Sequence, residues 1–148
     1  MANNLPTSRM FSQCFSEMEG VGNGILNSAN TFKVCPVENT FDDTSLDMAA
    51  ASTAGAGALT QANGVDFANE VTLTSVSFDV DPTTGVWSMT SSDSSLNFTG
   101  LTDTYVGLFV YNGTNNYAIS VINFNAERTA TAIEYTPDST YGYASVSP

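Results

Sequence analysis

A chain of 148 residues with fifteen acidic side chains, three basic ones and a net charge of −12 closes off whole classes of partner. Phosphate backbones are bound through Lys and Arg that release counterions, so Arg9, Lys33 and Arg128 among so many carboxylates exclude nucleic acid, and an anionic membrane surface is disfavoured for the same reason. There is no histidine, which removes the commonest general base and metal ligand and any Ser-His-Asp or Cys-His arrangement within the chain.

At this length, folding buries roughly 70% of the unfolded surface, so a single real core needs no disulfide or metal. Charged residues make up 12%, against about 25% in average proteins. Ser, Thr, Asn and Gly take their place, which suits strand faces and tight turns. No apolar run approaches the ~18 residues of a membrane span. The start, Met1-Ala-Asn-Asn-Leu-Pro6, has neither the basic nor the apolar region of a secretory signal. The expectation is a chain made and kept in a cytoplasm, with Cys14 and Cys35 as reduced, structural thiols; whether they pair is left open.

The first predicted element is a short helix over Ser8–Glu19. Ser8 can cap it, Gly20 can stop it, and Met10, Phe11, Cys14, Phe15 and Met18 fall on one face of a 3.6-residue period. So short a helix is marginal alone, and its apolar face must dock on this domain or on another protein. The β region has apolar residues enough for its own core, so these five are the candidate partner-docking residues. Val21–Asn30 reads as loop. Thr31–Cys35 alternates as a short strand, which Pro36 ends or marks as an edge. Glu38–Asp47 is acidic and turn-rich, and Met48–Gly64, rich in Ala and Gly, reads as an extended surface loop. Residues 1–64 thus form an N-terminal arm, short helix and Ala/Gly-rich loop packing on or beside the core. Residues 65–148 form the β domain, expected to fold alone.

In that domain Val71 and Leu73 share one strand phase, while Val76, Phe78 and Val80 share the other, which predicts a β-bulge near Thr74–Ser75. Asp81–Gly85 is a turn leading into Val86–Thr90, where Trp87 and Met89 share a face and should be buried. Leu96 and Phe98 mark a brief strand. Tyr105–Tyr111 is continuously apolar and reads as a central strand covered on both faces. Asn112–Asn116 is a hairpin loop with the Asn-Gly signal, leading into Tyr117–Phe124. Thr129–Thr136 and Tyr141–Val146 add strands. The fold class is mainly β: an antiparallel β-sandwich or small barrel of about seven strands with a short N-terminal helix or arm.

Candidate chemistry is sparse. Cys14 lies in an apolar helical stripe and reads as packing. Lys33 would serve a Schiff base only if desolvated. Asp42–Asp43, Asp79 with Asp81, and Glu17 with Glu19 are carboxylate pairs without the spaced oxygens of a calcium loop. Asn97-Phe-Thr99 and Asn112-Gly-Thr114 match the glycosylation pattern by chance in an Asn/Thr-rich chain. The tyrosines read as core rather than as a sugar-stacking face. No catalytic residue, metal ligand or cofactor is expected, and the chain reads as non-enzymatic.

A possible docking arm in Met1–Gly24, the Ala/Gly-rich Met48–Gly64 loop and a turn-rich β domain together resemble, over the whole chain, the capsid decoration (cement) proteins of tailed bacteriophages. The resemblance implies a structural protein bound to the outside of a viral capsid, stabilising contacts between capsid subunits. Its partners would be the major capsid protein and its own copies in a homo-oligomer, a trimer by the habit of the class. Its place would be the virion surface, after synthesis in the host cytoplasm. The alternative is a carbohydrate- or receptor-binding β module of a fibre or adhesin, which requires exposed aromatics beside acids in a groove.

Overall fold

The computed structural model describes residues 9–10, 24–41 and 64–147. In chain order its strands are β1 (Arg9–Met10), β2 (Phe32–Glu38), β3 (Val71–Thr72), β4 (Ser77–Val80), β5 (Trp87–Thr90), β6 (Leu96–Thr99), β7 (Thr104–Asn112), β8 (Tyr117–Thr129), β9 (Ala132–Tyr135) and β10 (Ala144–Val146). A 3-10 turn occupies Phe67–Asn69. The strands form a five-stranded sheet, β1-β8-β7-β2-β3, a three-stranded sheet, β10-β5-β4, and the pair β6-β9. Every strand pairing is antiparallel. This is the expected mainly β, sandwich-like fold, without closure into a barrel. Two-residue strands such as β1 and β3 take the number above the expected seven.

The apolar run Tyr105–Tyr111 becomes β7, which lies between β8 and β2. Because successive side chains on a strand point to opposite faces, Leu108 and Val110 enter the main core, while Phe109 and Tyr111 enter a second cluster behind the sheet; the register shift between Tyr105 and Gly107 reverses the phase and puts Val106 in that second cluster too. The main core joins Phe32, Val34 and Leu108 of the five-stranded sheet to Met89 and Ala144 of the three-stranded sheet and to Leu96, Phe98 and Ile133 of the β6-β9 pair. Each fully buried side chain of this size contributes about 1.5–3 kcal/mol. On β8 the register slips: Val110 faces Ser120 but Tyr111 faces Ala118, so Ile119 is an extra residue. The bulge puts Ile119 into the main core beside Ser120.

Both predicted hairpins form. Asp81 Oδ1 accepts the N–H groups of Thr83 and Thr84 at 2.7 and 3.2 Å, and Gly85 takes φ 73° to close the β4–β5 turn. In the β7–β8 loop, Asn112 Oδ1 accepts the N–H groups of Thr114 and Asn115, and its Nδ2 donates to Ile25 O at 2.8 Å. Asn112 is fully buried and occupied, which bars it as a glycosylation acceptor in the folded chain.

Three expectations are corrected. Pro36 neither ends its strand nor marks an edge: β2 runs on to Glu38, between β7 and β3. Phe32, Pro36 and Glu38 point their backbone groups away from β7, accepting from Leu73 N and Asp66 N and donating to Gly64 O. The N–H that proline lacks would therefore face the side where the neighbouring chain has left the sheet for the Phe67–Asn69 turn, so no ladder bond is lost. The phase change at Thr74–Ser75 is not a bulge within one strand. The chain crosses there from β3 in the five-stranded sheet to β4 in the three-stranded sheet, with Ser75 at φ 48°. Asp93 Oδ2 clamps the crossing by accepting the Thr74 N–H at 2.7 Å. Met10 is not in a helix: it pairs with Ser120 on the edge of β8, and Arg9 pairs with Val121.

Candidate functional site

A groove of about 290 Å³ opens where β1, β8 and β10 meet the segment between β9 and β10. Met10 and Ile122 form apolar wall, and Tyr135, Asp138, Tyr141 and Ser145 supply aromatic and polar groups. The local sequence Pro137-Asp-Ser-Thr-Tyr-Gly-Tyr143 makes this wall rigid. Asp138 Oδ1 accepts the N–H groups of Thr140 and Tyr141 at 2.7 and 2.9 Å, an Asx-type turn, and Asp138 O accepts the Gly142 N–H at 2.9 Å. Gly142, at φ 59°, lies against β5 so closely that a Cβ there would fall 2.0 Å from Met89 O. Only glycine fits. The Tyr143 N–H donates to that same Met89 O at 2.9 Å. At the floor, Ser120 Oγ donates to Tyr143 O at 2.6 Å.

The groove's tyrosines differ in environment. Tyr143 is buried, with its hydroxyl 3.1 Å from Ser91 Oγ. Tyr141 is 49% exposed, a large ring left in solvent beside the groove. Tyr135 is half-buried; burial, then the neighbouring Tyr143 and Asp138, push its phenol up to about 12, so it stays a neutral hydrogen-bond donor at physiological pH. Its hydroxyl has no hydrogen-bond partner among the described residues.

A second polar group lies behind the five-stranded sheet. Lys33 is ion-paired with Glu70 Oε1, and the Tyr111 hydroxyl donates to Glu70 Oε2 at 2.5 Å. Burial alone would raise the Glu70 carboxyl, but the bonds from Lys33 and Tyr111 outweigh it and hold it below the usual carboxylate range. Tyr105 donates to Asp66 Oδ2 at 3.0 Å, and Asn69 Nδ2 donates to the same oxygen at 2.8 Å. The Phe67 ring packs edge-on against Phe109 and Tyr111. The Cys35 thiol below is pushed far up by burial, then by Glu70 and Asp66. This network holds the 66–70 segment onto the sheet, with Lys33 bound to a carboxylate rather than offered as an amine.

Of the five predicted docking residues, Met10 packs against this domain's own core and lines the groove. Phe11, Cys14, Phe15 and Met18 lie outside the described residues, as do the pairs Asp42–Asp43 and Glu17–Glu19 and the Met48–Asn63 part of the Ala/Gly-rich loop. Asp81 caps its own turn. Among the described residues, no three acidic or cysteine side chains converge as a metal site. Trp87 is half-buried, stacked on Phe78 at 6.0 Å, while Met89 on the same face is fully buried. No sequence pattern assembles the groove, because its parts lie at residues 10, 120–122 and 135–145 and only the strand topology joins them. The signal that was present is the density of Tyr, Asp and Gly between Tyr135 and Tyr143. Comparison with protein-family models, with curated proteins and with solved structures finds no match for this chain.

Proposed function

We propose that this protein is a structural component of a virus particle, a capsid decoration protein that sits on the outer surface and reinforces contacts between capsid subunits. The supporting observation is where the charge lies. Lys33 is bound to Glu70, and the Arg128 guanidinium lies 4.6 Å from the centre of the Phe124 ring, so both of these cations are held against the protein body. Asp79, Asp81, Asp103, Glu134 and Asp138 are exposed. A domain with such a surface stays soluble and repels its neighbours at long range. That suits a body facing solvent at high local density and held to a shell through a less charged segment. The candidate for that segment is Phe11, Cys14, Phe15 and Met18, now without Met10.

The test is sedimentation of lysate from the native source through a density gradient, with the chain followed by antibody. It is expected to travel with intact capsids, and chain found only at the top of the gradient would reject the proposal. A Phe11→Asp, Phe15→Asp double variant is expected to melt as the parent does and to be absent from particles. Full occupancy by that variant would reject the docking assignment.

A further inference from the structure

We propose that the groove between β8, β10 and the 136–143 segment binds a neutral saccharide, with Tyr141 as the surface on which a sugar ring stacks and with Tyr135 and Asp138 as hydrogen-bond partners of its hydroxyls. The site is independent of whether the protein decorates a capsid.

Size comes first. About 290 Å³ lies at the small end of ligand pockets, which run from about 300 to 1,000 Å³; the groove fits one or two sugar rings rather than a long polymer. The second observation is the pair of aromatic environments. An exposed ring offers a flat apolar face at little desolvation cost, and Tyr141 is such a ring, 49% exposed on a backbone pinned by three hydrogen bonds to Asp138 and Met89. Such pinning lowers the ordering cost of binding.

The third observation selects the ligand. The Tyr135 hydroxyl lines the groove, is desolvated enough to remain a phenol well above neutral pH, and lacks a hydrogen-bond acceptor among the described residues. That hydroxyl is reached by water in the open groove, and a ligand acceptor can take the water's place. Asp138 stands beside it as an acceptor: Oδ1 is committed to the turn, and Oδ2 takes no bond from the described residues. Ser145 adds a second hydroxyl. A donor next to an acceptor matches sugar hydroxyls, each of which both donates and accepts. A quaternary ammonium would satisfy Asp138 and the rings but would leave the Tyr135 donor unmet. An acidic sugar would meet Asp138 with no lysine or arginine among the lining residues to offset it.

The experiment is ligand-observed and protein-observed NMR of the full chain against methyl glucosides, methyl galactosides, N-acetylglucosamine and cellobiose, with sialyllactose and choline in parallel. At least one neutral sugar is expected to bind with saturable shifts on Tyr135 and Tyr141. Tyr141→Ala and Tyr135→Phe are each expected to weaken it about tenfold or more with an unchanged melting temperature. Asp138→Asn retains the turn, since Asn caps it equally well, and should weaken binding as well. Tyr135→Phe, which removes a single oxygen, decides the matter if Tyr141→Ala melts early. The proposal is overturned if no neutral sugar binds at millimolar concentration, if sialyllactose or choline binds instead, or if sugar binding survives both tyrosine substitutions.

Discussion

On the front of the five-stranded sheet, Phe32, Val34, Leu108, Val110 and Ile119 join an apolar cluster completed by the other layer; on the back, Cys35, Phe109 and Tyr111 lie under a segment carrying Asp66, Phe67 and Glu70. The front is held by burial, which is non-directional and insensitive to pH, together with neutral hydrogen bonds such as Ser120 Oγ to Tyr143 O. The back combines burial with a charge-assisted network fed by Lys33, so part of its stability depends on protonation. One strand, β2, serves both: Phe32 and Val34 look forward, while Lys33 and Cys35 look back. A single sheet can thus have one face fixed by shape and another tuned by charge.

Removing β2 should break both faces at once, and it is the largest effect expected. A fragment of residues 65–148 lacks the strand that β7 and β3 share. Although the sequence division at residue 65 predicts an autonomous unit, the fragment is expected to show no cooperative melt by circular dichroism or calorimetry. A sharp transition would show that the remaining layers suffice. Next comes Phe32→Ala, on the front. Phe32 is fully buried and meets Phe78 edge-on at 5.5 Å, so the loss should be about 3–5 kcal/mol. Denaturant titration should return the same loss at pH 4 and pH 7.

Glu70→Gln sharpens the contrast from the back. Its carboxyl is held below the ordinary value, so its contribution is fully present above the unfolded value, about 4.3, and is lost as pH falls through the lower folded value. At pH 7 the variant should be less stable by about 1 kcal/mol, since both partners are partly solvated. The two proteins should converge in acid, and a difference that persisted there would assign the loss to packing. The smallest effect is at Glu38, whose carboxyl is raised by burial and then by Asp103 and Asp66. The sign is opposite: its charge is unfavourable to the fold at neutral pH and relieved in acid. Glu38→Gln should therefore raise the melting temperature slightly at pH 7, by less than about 0.5 kcal/mol of stability, with no gain below pH 4.

Much of the sandwich was legible because each strand carries its own pattern. Tyr105–Tyr111 is apolar at both phases and is buried on both faces, and Asp81–Gly85 and Asn112–Asn116 carry their turn chemistry in the residue types. What was not legible depends on partners. Because proline lacks a donor, Pro36 predicts a strand end or an edge, but its cost depends on which way that donor would have pointed, and that is set by β3 and the turn at Phe67–Asn69. The slip of phase at Thr74–Ser75 was visible, yet a bulge and a change of sheet satisfy it equally; only the pairing of β4 with β5 decides. Met10 begins a helical spacing but lies in a strand, because two residues of edge pairing leave no periodic trace. The groove needed three distant segments to meet, and Tyr135 and Tyr141 read as ordinary core tyrosines until their exposures were compared.

The burial of Cys35 makes the protein its own clock. Its thiol is fully enclosed in β2 and resists ionisation, and only a thiolate attacks an alkylating reagent. In a Cys14→Ser variant, labelling should therefore wait for the sheet to part around β2, and the labelling rate should report how often that opening occurs. Each loss of about 1.4 kcal/mol in opening free energy should quicken labelling tenfold. Measured with the Phe32→Ala and Glu70→Gln variants, that rate would reveal whether the two faces part in one event or one after the other.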